Sequence, residues 1–126
     1  MKKEIIVTAD APEAIGPYSQ AVKVGNVVYT AGQIAIDPSS QKMIDGGIEE
    51  QTEQVIKNLK KVLEKAEMTL DDVVKADVFL TDLNNFAQMN KIYSIFFSEA
   101  QPARATVAVS ELPKGALVEI AVIAVQ

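Results

Sequence analysis

The chain has 126 residues, with 12 Lys or Arg against 17 Asp or Glu, for a formal net charge of −5. That length suits one domain with a real core, and 48% hydrophobic with 23% charged residues is a globular rather than a disordered balance. The acidic balance argues against nucleic acid as a partner, and the absence of Cys and His removes disulfides, a thiolate nucleophile, an imidazole base and an imidazole metal ligand.

Lys3 to Thr8 predicts a first strand, because Ile5, Ile6 and Val7 are β-formers. Asp10 to Ser19 is turn-rich, with Pro12, Gly16 and Pro17. Gln20 to Val24 and Val27 to Ala31 predict a hairpin across Gly25-Asn26. Asp37 to Gly47 predicts a loop. Ile48 to Ala66 predicts a helix, since Ile48, Val55, Ile56, Leu59, Val62, Leu63 and Ala66 recur at helical spacing. Its acids crowd the N-terminal end and its lysines the C-terminal end, which complements the helix dipole.

Thr69 and Asp72 form a capping-box pattern, and Val73 to Leu80 follows as a strand. Asn84 to Phe97 predicts a second helix with Phe86, Met89, Tyr93, Phe96 and Phe97 on one face; Pro102 ends it. Ala103 to Val109 and Ala116 to Val125 predict the last two strands, joined through Leu112 to Gly115. The final strand is apolar on both faces and so belongs inside its sheet. The order β-β-β-α-β-α-β-β implies an α+β domain, with two helices on one face of a mixed six-stranded sheet. The uncovered face calls for a partner, most economically another copy of the chain.

Signatures for common chemistry are missing. There is no Gly-x-Ser-x-Gly elbow, no phosphate loop and no dinucleotide fingerprint. No metal site and no cofactor is expected. No apolar run is long enough to span a bilayer, and none near Met1 makes a secretory signal, so a cytoplasmic protein without a membrane partner is expected.

Two residues stand out. Glu119 lies inside the apolar run Leu117 to Val122, where an unpaired carboxylate is costly or shifts its pKa upward. It is either a structural acid, at an edge or in an ion pair, or a site carboxylate. Arg104 is the only arginine, flanked by Ala103 and Ala105. Its planar fork matches a carboxylate as lysine cannot, so it is the candidate anchor for a small carboxylate. If the last two strands form a hairpin, Arg104 opposes Ala121, Thr106 opposes Glu119, and Arg104 and Glu119 share a face. Another register would separate them.

Gly16-Pro17-Tyr18-Ser19-Gln20-Ala21, Ala31-Gly32-Gln33-Ile34, Gln51-Thr52 with Asn58-Leu59, Pro102-Ala103-Arg104, and Leu112-Pro113-Lys114 with Glu119-Ile120 occur in one order along the chain. In these motifs it resembles the RidA (YjgF) family of enamine/imine deaminases, essentially from Lys3 to Val125. The resemblance implies a chorismate-mutase-like fold and a homotrimer with clefts between subunits. It also implies hydrolysis of 2-aminoacrylate and related imines, released by pyridoxal-phosphate enzymes, to 2-keto acids and ammonia. By motif, Arg104 would hold the substrate carboxylate, and Glu119 would orient or activate water. Tyr18, Gly32, Asn90 and Thr106 would line the cleft, with Ala31 where many members carry Ser. Many members also carry a second acid where this chain has Ala121, and Cys where it has Thr106. The alternatives are a non-catalytic binding protein or sensor for small 2-keto acids or amino acids in the same cleft, and a nuclease, which the acidic charge disfavours.

Overall fold

The computed structural model describes residues 1–126. Strands β1 (Lys3–Ile6), β2 (Ala21–Val24) and β3 (Val27–Thr30) form an antiparallel meander, with Gly25 supplying φ +59° at the β2–β3 turn. β1 stops at Ile6 because the buried amide of Gln20 replaces the ladder beyond it. Gln20 accepts from Thr8 N at 2.7 Å and donates to the carbonyls of Thr8 and Pro12 at 3.0 and 2.7 Å.

Helix α1 (Ile48–Lys65) matches its predicted apolar stripe, and the Glu50 carboxylate accepts from Gly47 N at 2.8 Å to cap its start. Two polar residues on its buried face serve the framework. Gln51 accepts from Leu117 N at 2.9 Å, and Asn58 donates to the carbonyls of Ile34 and Ile36 at 3.2 and 2.9 Å. The predicted capping box forms: Asp72 accepts from Thr69 N at 2.8 Å just ahead of strand β6 (Val73–Leu80). Helix α2 (Phe86–Phe96) starts two residues later than its periodicity suggests, because Asp82 accepts from Asn84 N and tightens Leu83–Asn85 into a 3-10 turn. Strands β7 (Ala103–Ala108) and β8 (Val118–Val125) complete the main sheet.

That sheet has six strands in the order β1-β2-β3-β8-β6-β7, with both helices on one face. β8 is interior, as its two apolar faces require. Val118, Ile120, Val122 and Ala124 join Leu59, Leu63 and Val78 in the core, while Glu119, Ala121, Ile123 and Val125 point to the other face. That other face is open and largely apolar, with Ile5, Tyr29 and Val107 each close to half exposed. No helix is long and apolar enough to cross a membrane.

Two expectations are corrected. The Asp37–Gly47 segment is not a plain loop: β4 (Ile36–Asp37) pairs with β5 (Lys42–Met43), and the Asp37 carboxylate secures the turn by accepting from Ser39 N and Oγ at 2.8 and 2.7 Å. The last two strands form no hairpin. β6-α2-β7 is a crossover unit, so β7 lies parallel to β6 at the sheet edge and β6 stands between β7 and β8. Arg104 is opposite Ala76, Thr106 opposite Val78, and Glu119 opposite Phe79. Ala76 and Val78 face the helices, so Arg104 and Thr106 do too, and Glu119 faces away.

Because Gln20 alone ties the Thr8–Pro12 segment to β2, Gln20→Leu should cost about 2–4 kcal/mol of unfolding free energy in urea titration. A loss below about 0.5 kcal/mol would mean that those backbone groups find other partners.

Candidate functional site

The predicted site residues fall into two groups on opposite faces of the sheet. Tyr18, Ala31, Gly32 and Glu119 line one cavity of about 570 Å³. Its walls are the Pro12–Tyr18 segment, the stretch after β3 and the Pro113-Lys114 turn before β8. Asn90 and Arg104 line a second cavity of about 380 Å³ between α2 and the start of β7. Thr106 stands two residues beyond Arg104 on the same face, with its Oγ1 buried and without a hydrogen-bond partner.

In the first cavity the controlling contact is between Glu119 and Gly32. A Cβ on residue 32 would lie 2.8 Å from Glu119 Cδ and closer still to Oε2. Glycine is required here for space, since the carboxylate lies against the backbone. The backbone bridge between Gln33 and Ile120, with N–O distances of 2.9 and 3.1 Å, holds the two segments in this register. Glu119 has neither an ion-pair partner nor a hydrogen bond, and burial pushes its carboxyl pKa above the ordinary 4.5. It is neither an edge residue nor half of a salt bridge.

The loops around Glu119 are held by the amides already described. Gln20 fixes the Thr8–Pro12 strap, Asn58 fixes Ile34 to Ile36, and Gln51 fixes Leu117 two residues ahead of Glu119. Tyr18 is 54% exposed and accepts from Ile15 N at 3.3 Å, so one face of its ring is free at the cavity mouth. Lys114 also lines this cavity, in a left-handed conformation with φ 56°.

In the second cavity Arg104 Nη1 donates to Asn90 Oδ1 at 2.7 Å. The guanidinium carbon lies 4.7 Å from the Tyr93 ring centroid and 5.4 Å from that of Phe86. No carboxylate of the chain pairs with it, so it is not half of a structural salt bridge. Asn90 faces the arginine rather than solvent alone. Burial raises the Tyr93 hydroxyl pKa, and the neighbouring Arg104 charge opposes that rise.

Sequence reasoning missed Phe86 and Tyr93 as partners of Arg104, placing both only on one face of α2. The signal was present: Phe86, Asn90 and Tyr93 are four and three residues apart, so a polar residue sits between two aromatics on one helical stripe. It also missed Lys114 as a cavity residue and the buried amides of Gln20, Gln51 and Asn58 as loop anchors.

The crowding of Gly32 against Glu119 makes the two sites coupled. Gly32→Ala should cost about 1–3 kcal/mol by chemical denaturation, and less than half of that in a Glu119→Ala background. Additive effects would show that the carboxylate is not what limits residue 32. The raised Glu119 pKa also sets a sign. The folded form holds the proton more tightly than the unfolded form, so charging Glu119 lowers stability as pH rises through its folded pKa. Glu119→Gln should therefore raise Tm at neutral pH, with the gain vanishing below the ordinary carboxylate pKa. A Tm gain that persists at the acid end would assign it to packing instead.

Comparison with known proteins agrees with the fold. A family model described as endoribonuclease L-PSP matches residues 8–126. A RutC family protein of Pyrococcus abyssi is 55% identical over 124 residues, covering 98% of each chain. A mouse protein named 2-iminobutanoate/2-iminopropanoate deaminase is 46% identical over 124 residues, covering 98% of this chain and 92% of its own. The crystal structure of a conserved Rid family protein from Yersinia pestis superposes with a TM-score of 0.96 at 49% identity, covering 99% of this chain and 100% of that one. On its fold, its motifs and these full-length matches, the chain belongs to the RidA (YjgF) family, the group that the endoribonuclease L-PSP model describes.

Proposed function

We propose that the protein assembles as a homotrimer and hydrolyses 2-iminopropanoate, the tautomer of 2-aminoacrylate, and 2-iminobutanoate to 2-keto acids and ammonia. The observation that carries this reading is the placement of two unpaired charges. The sole guanidinium and the Glu119 carboxylate stand on opposite faces of one sheet, each at a cavity and neither with an ion-pair partner. One chain cannot present both to a small molecule. Two copies can, if the open sheet face and the β7 edge of one pack against the cavity wall of another. The deaminase name of mammalian relatives such as the mouse protein supports the reaction.

The chemistry asks little of the protein. The imine carbon is electrophilic, so water can attack it directly once both are positioned. Arg104 grips the substrate carboxylate through the in-plane donors that Asn90 leaves free. Glu119 takes a proton from the water as its oxygen bonds to the imine carbon. Glu119 returns that proton to the imine nitrogen to give the carbinolamine, then takes the hydroxyl proton and passes it to the amino nitrogen, so that ammonia leaves with the C–N bonding pair as the C=O bond forms. A carboxyl with a raised pKa suits this exchange near neutral pH. Neither a cofactor nor a covalent nucleophile is needed. A single arginine in a chain of net charge −5 fits a small carboxylate better than a polyanion.

The test is pyruvate release from 2-aminoacrylate generated by a dehydratase acting on serine. Purified protein should accelerate it over spontaneous hydrolysis. Arg104→Ala should abolish the acceleration, and Arg104→Lys should lower kcat/KM about 10- to 100-fold, because a point charge loses the fork. Subunit mixing checks the shared site. Arg104→Ala and Glu119→Ala proteins, each inactive, should regain about a quarter of wild-type activity after denaturation and refolding together, since random neighbours restore both residues in that share of clefts. No acceleration by the wild type sinks the deaminase reading. No recovery on mixing sinks the shared cleft. Tight 2-keto acid binding without turnover of any imine favours a binding protein or sensor.

A further inference from the structure

Arg104 is held from one side only. Asn90, Tyr93 and Phe86 all come from α2 and form one stripe along it, and together they account for every contact described for the guanidinium. A flexible arginine on an edge strand would otherwise sample many rotamers. Here a hydrogen bond fixes one nitrogen, and a ring face at 4.7 Å fixes the plane. Arg104 lines the second cavity, and its remaining donors have no hydrogen-bond partner in the chain.

Tyr93 is the revealing member. It is 94% buried, since its relative exposure is 6%, and its hydroxyl has no hydrogen-bond partner. Its ring also packs on Phe97 at 4.6 Å, which locks it in place. The hydroxyl makes no hydrogen bond of good geometry and its one polar neighbour is the Arg104 guanidinium itself, so hydrogen bonding elsewhere does not explain the residue. The part of Tyr93 in use is the ring face turned to the arginine.

We propose that the α2 stripe Phe86-Asn90-Tyr93 is the positioning device for Arg104, and that the Tyr93 ring is its principal support, setting carboxylate affinity without touching the ligand. This rests on the reading of Arg104 as the carboxylate anchor. Tyr93 is thus a positioning residue, acting through the guanidinium plane.

The lone arginine allows a direct test, because the protein has a single Arg Nε–Hε resonance in a 1H–15N spectrum. In wild-type protein the ring current should shift it upfield. Tyr93→Leu should move it toward the position of free arginine and raise the calorimetric Kd for 2-oxobutanoate about tenfold. Tyr93→Phe keeps the ring: the resonance should stay shifted, Kd should rise no more than about threefold, and Tm should increase as the unpaired hydroxyl disappears. Phe86 is 37% exposed, so Phe86→Leu folds even where Tyr93→Leu does not, and should raise Kd about threefold. The proposal is overturned if the leucine variants leave both resonance and Kd in place, or if Tyr93→Phe is as damaging as Tyr93→Leu. Wild-type protein that binds 2-oxobutanoate with this ranking but hydrolyses no imine refutes the deaminase reading and leaves this inference standing.

Discussion

The site depends on the position of β6 between β7 and β8. A strand alternates its side chains between faces, and the pairings through β6 assign Arg104 to the helix side and Glu119 to the open side. The backbone of the sheet lies between them, and no change of rotamer carries a side chain through it. The crossover through α2 enforces this order, because parallel strands cannot be joined by a tight hairpin. The same order leaves a broad apolar face without cover. The proposed assembly answers both conditions at once: packing that covers the apolar face also brings the second charge to the first. In that reading a monomer keeps its helix-side core but leaves the open face wet and the site incomplete.

Most of the architecture was legible from periodicity. The α1 stripe, the capping box before β6, the boundaries of β6 and the interior place of β8 all follow from local pattern, because each residue there is chosen by a single neighbour or face. The β7 pairing was not legible in the same way. Alternation in Ala103–Ala108 says which residues share a face, and nothing about which strand lies alongside. The connection was informative where the pattern was not: a helix between β6 and β7 calls for a parallel neighbour, whereas the chain between β7 and β8 permits several arrangements. Arg104 and Glu119 were identifiable as exceptions to their surroundings. Their separation was not, since it depends on that one pairing.

The aromatics of α2 show a different limit. A helical stripe of Phe and Tyr reads as core, and Tyr93 is indeed buried. What periodicity cannot show is that a guanidinium from another element uses the same ring face. Asn90 within the stripe was the only hint, because a polar residue on an aromatic stripe next to the buried Tyr93 calls for a partner.

The groups that hold the two charged residues in place have one property in common. Gln20, Gln51, Asn58 and Asn90 are all amides, and each fixes a segment or a side chain of the site. Charged side chains could have made the same bonds, often more strongly. They would also have added fields in a partly buried region, where charges act over distance with little screening. A lysine paired with Glu119 would hold it ionised and weaken it as a base, and Lys114, though it lines the same cavity, makes no ion pair with it; a carboxylate on Arg104 would occupy its fork. The ion pairs the protein does form lie elsewhere, at Glu53–Lys57, Glu64–Lys61, Glu49–Lys91 and Lys75–Asp77, all substantially exposed. Neutral anchors give the site its geometry and leave its two charges uncommitted. That combination would let a chain without histidine, cysteine or a second arginine carry out the proposed hydrolysis.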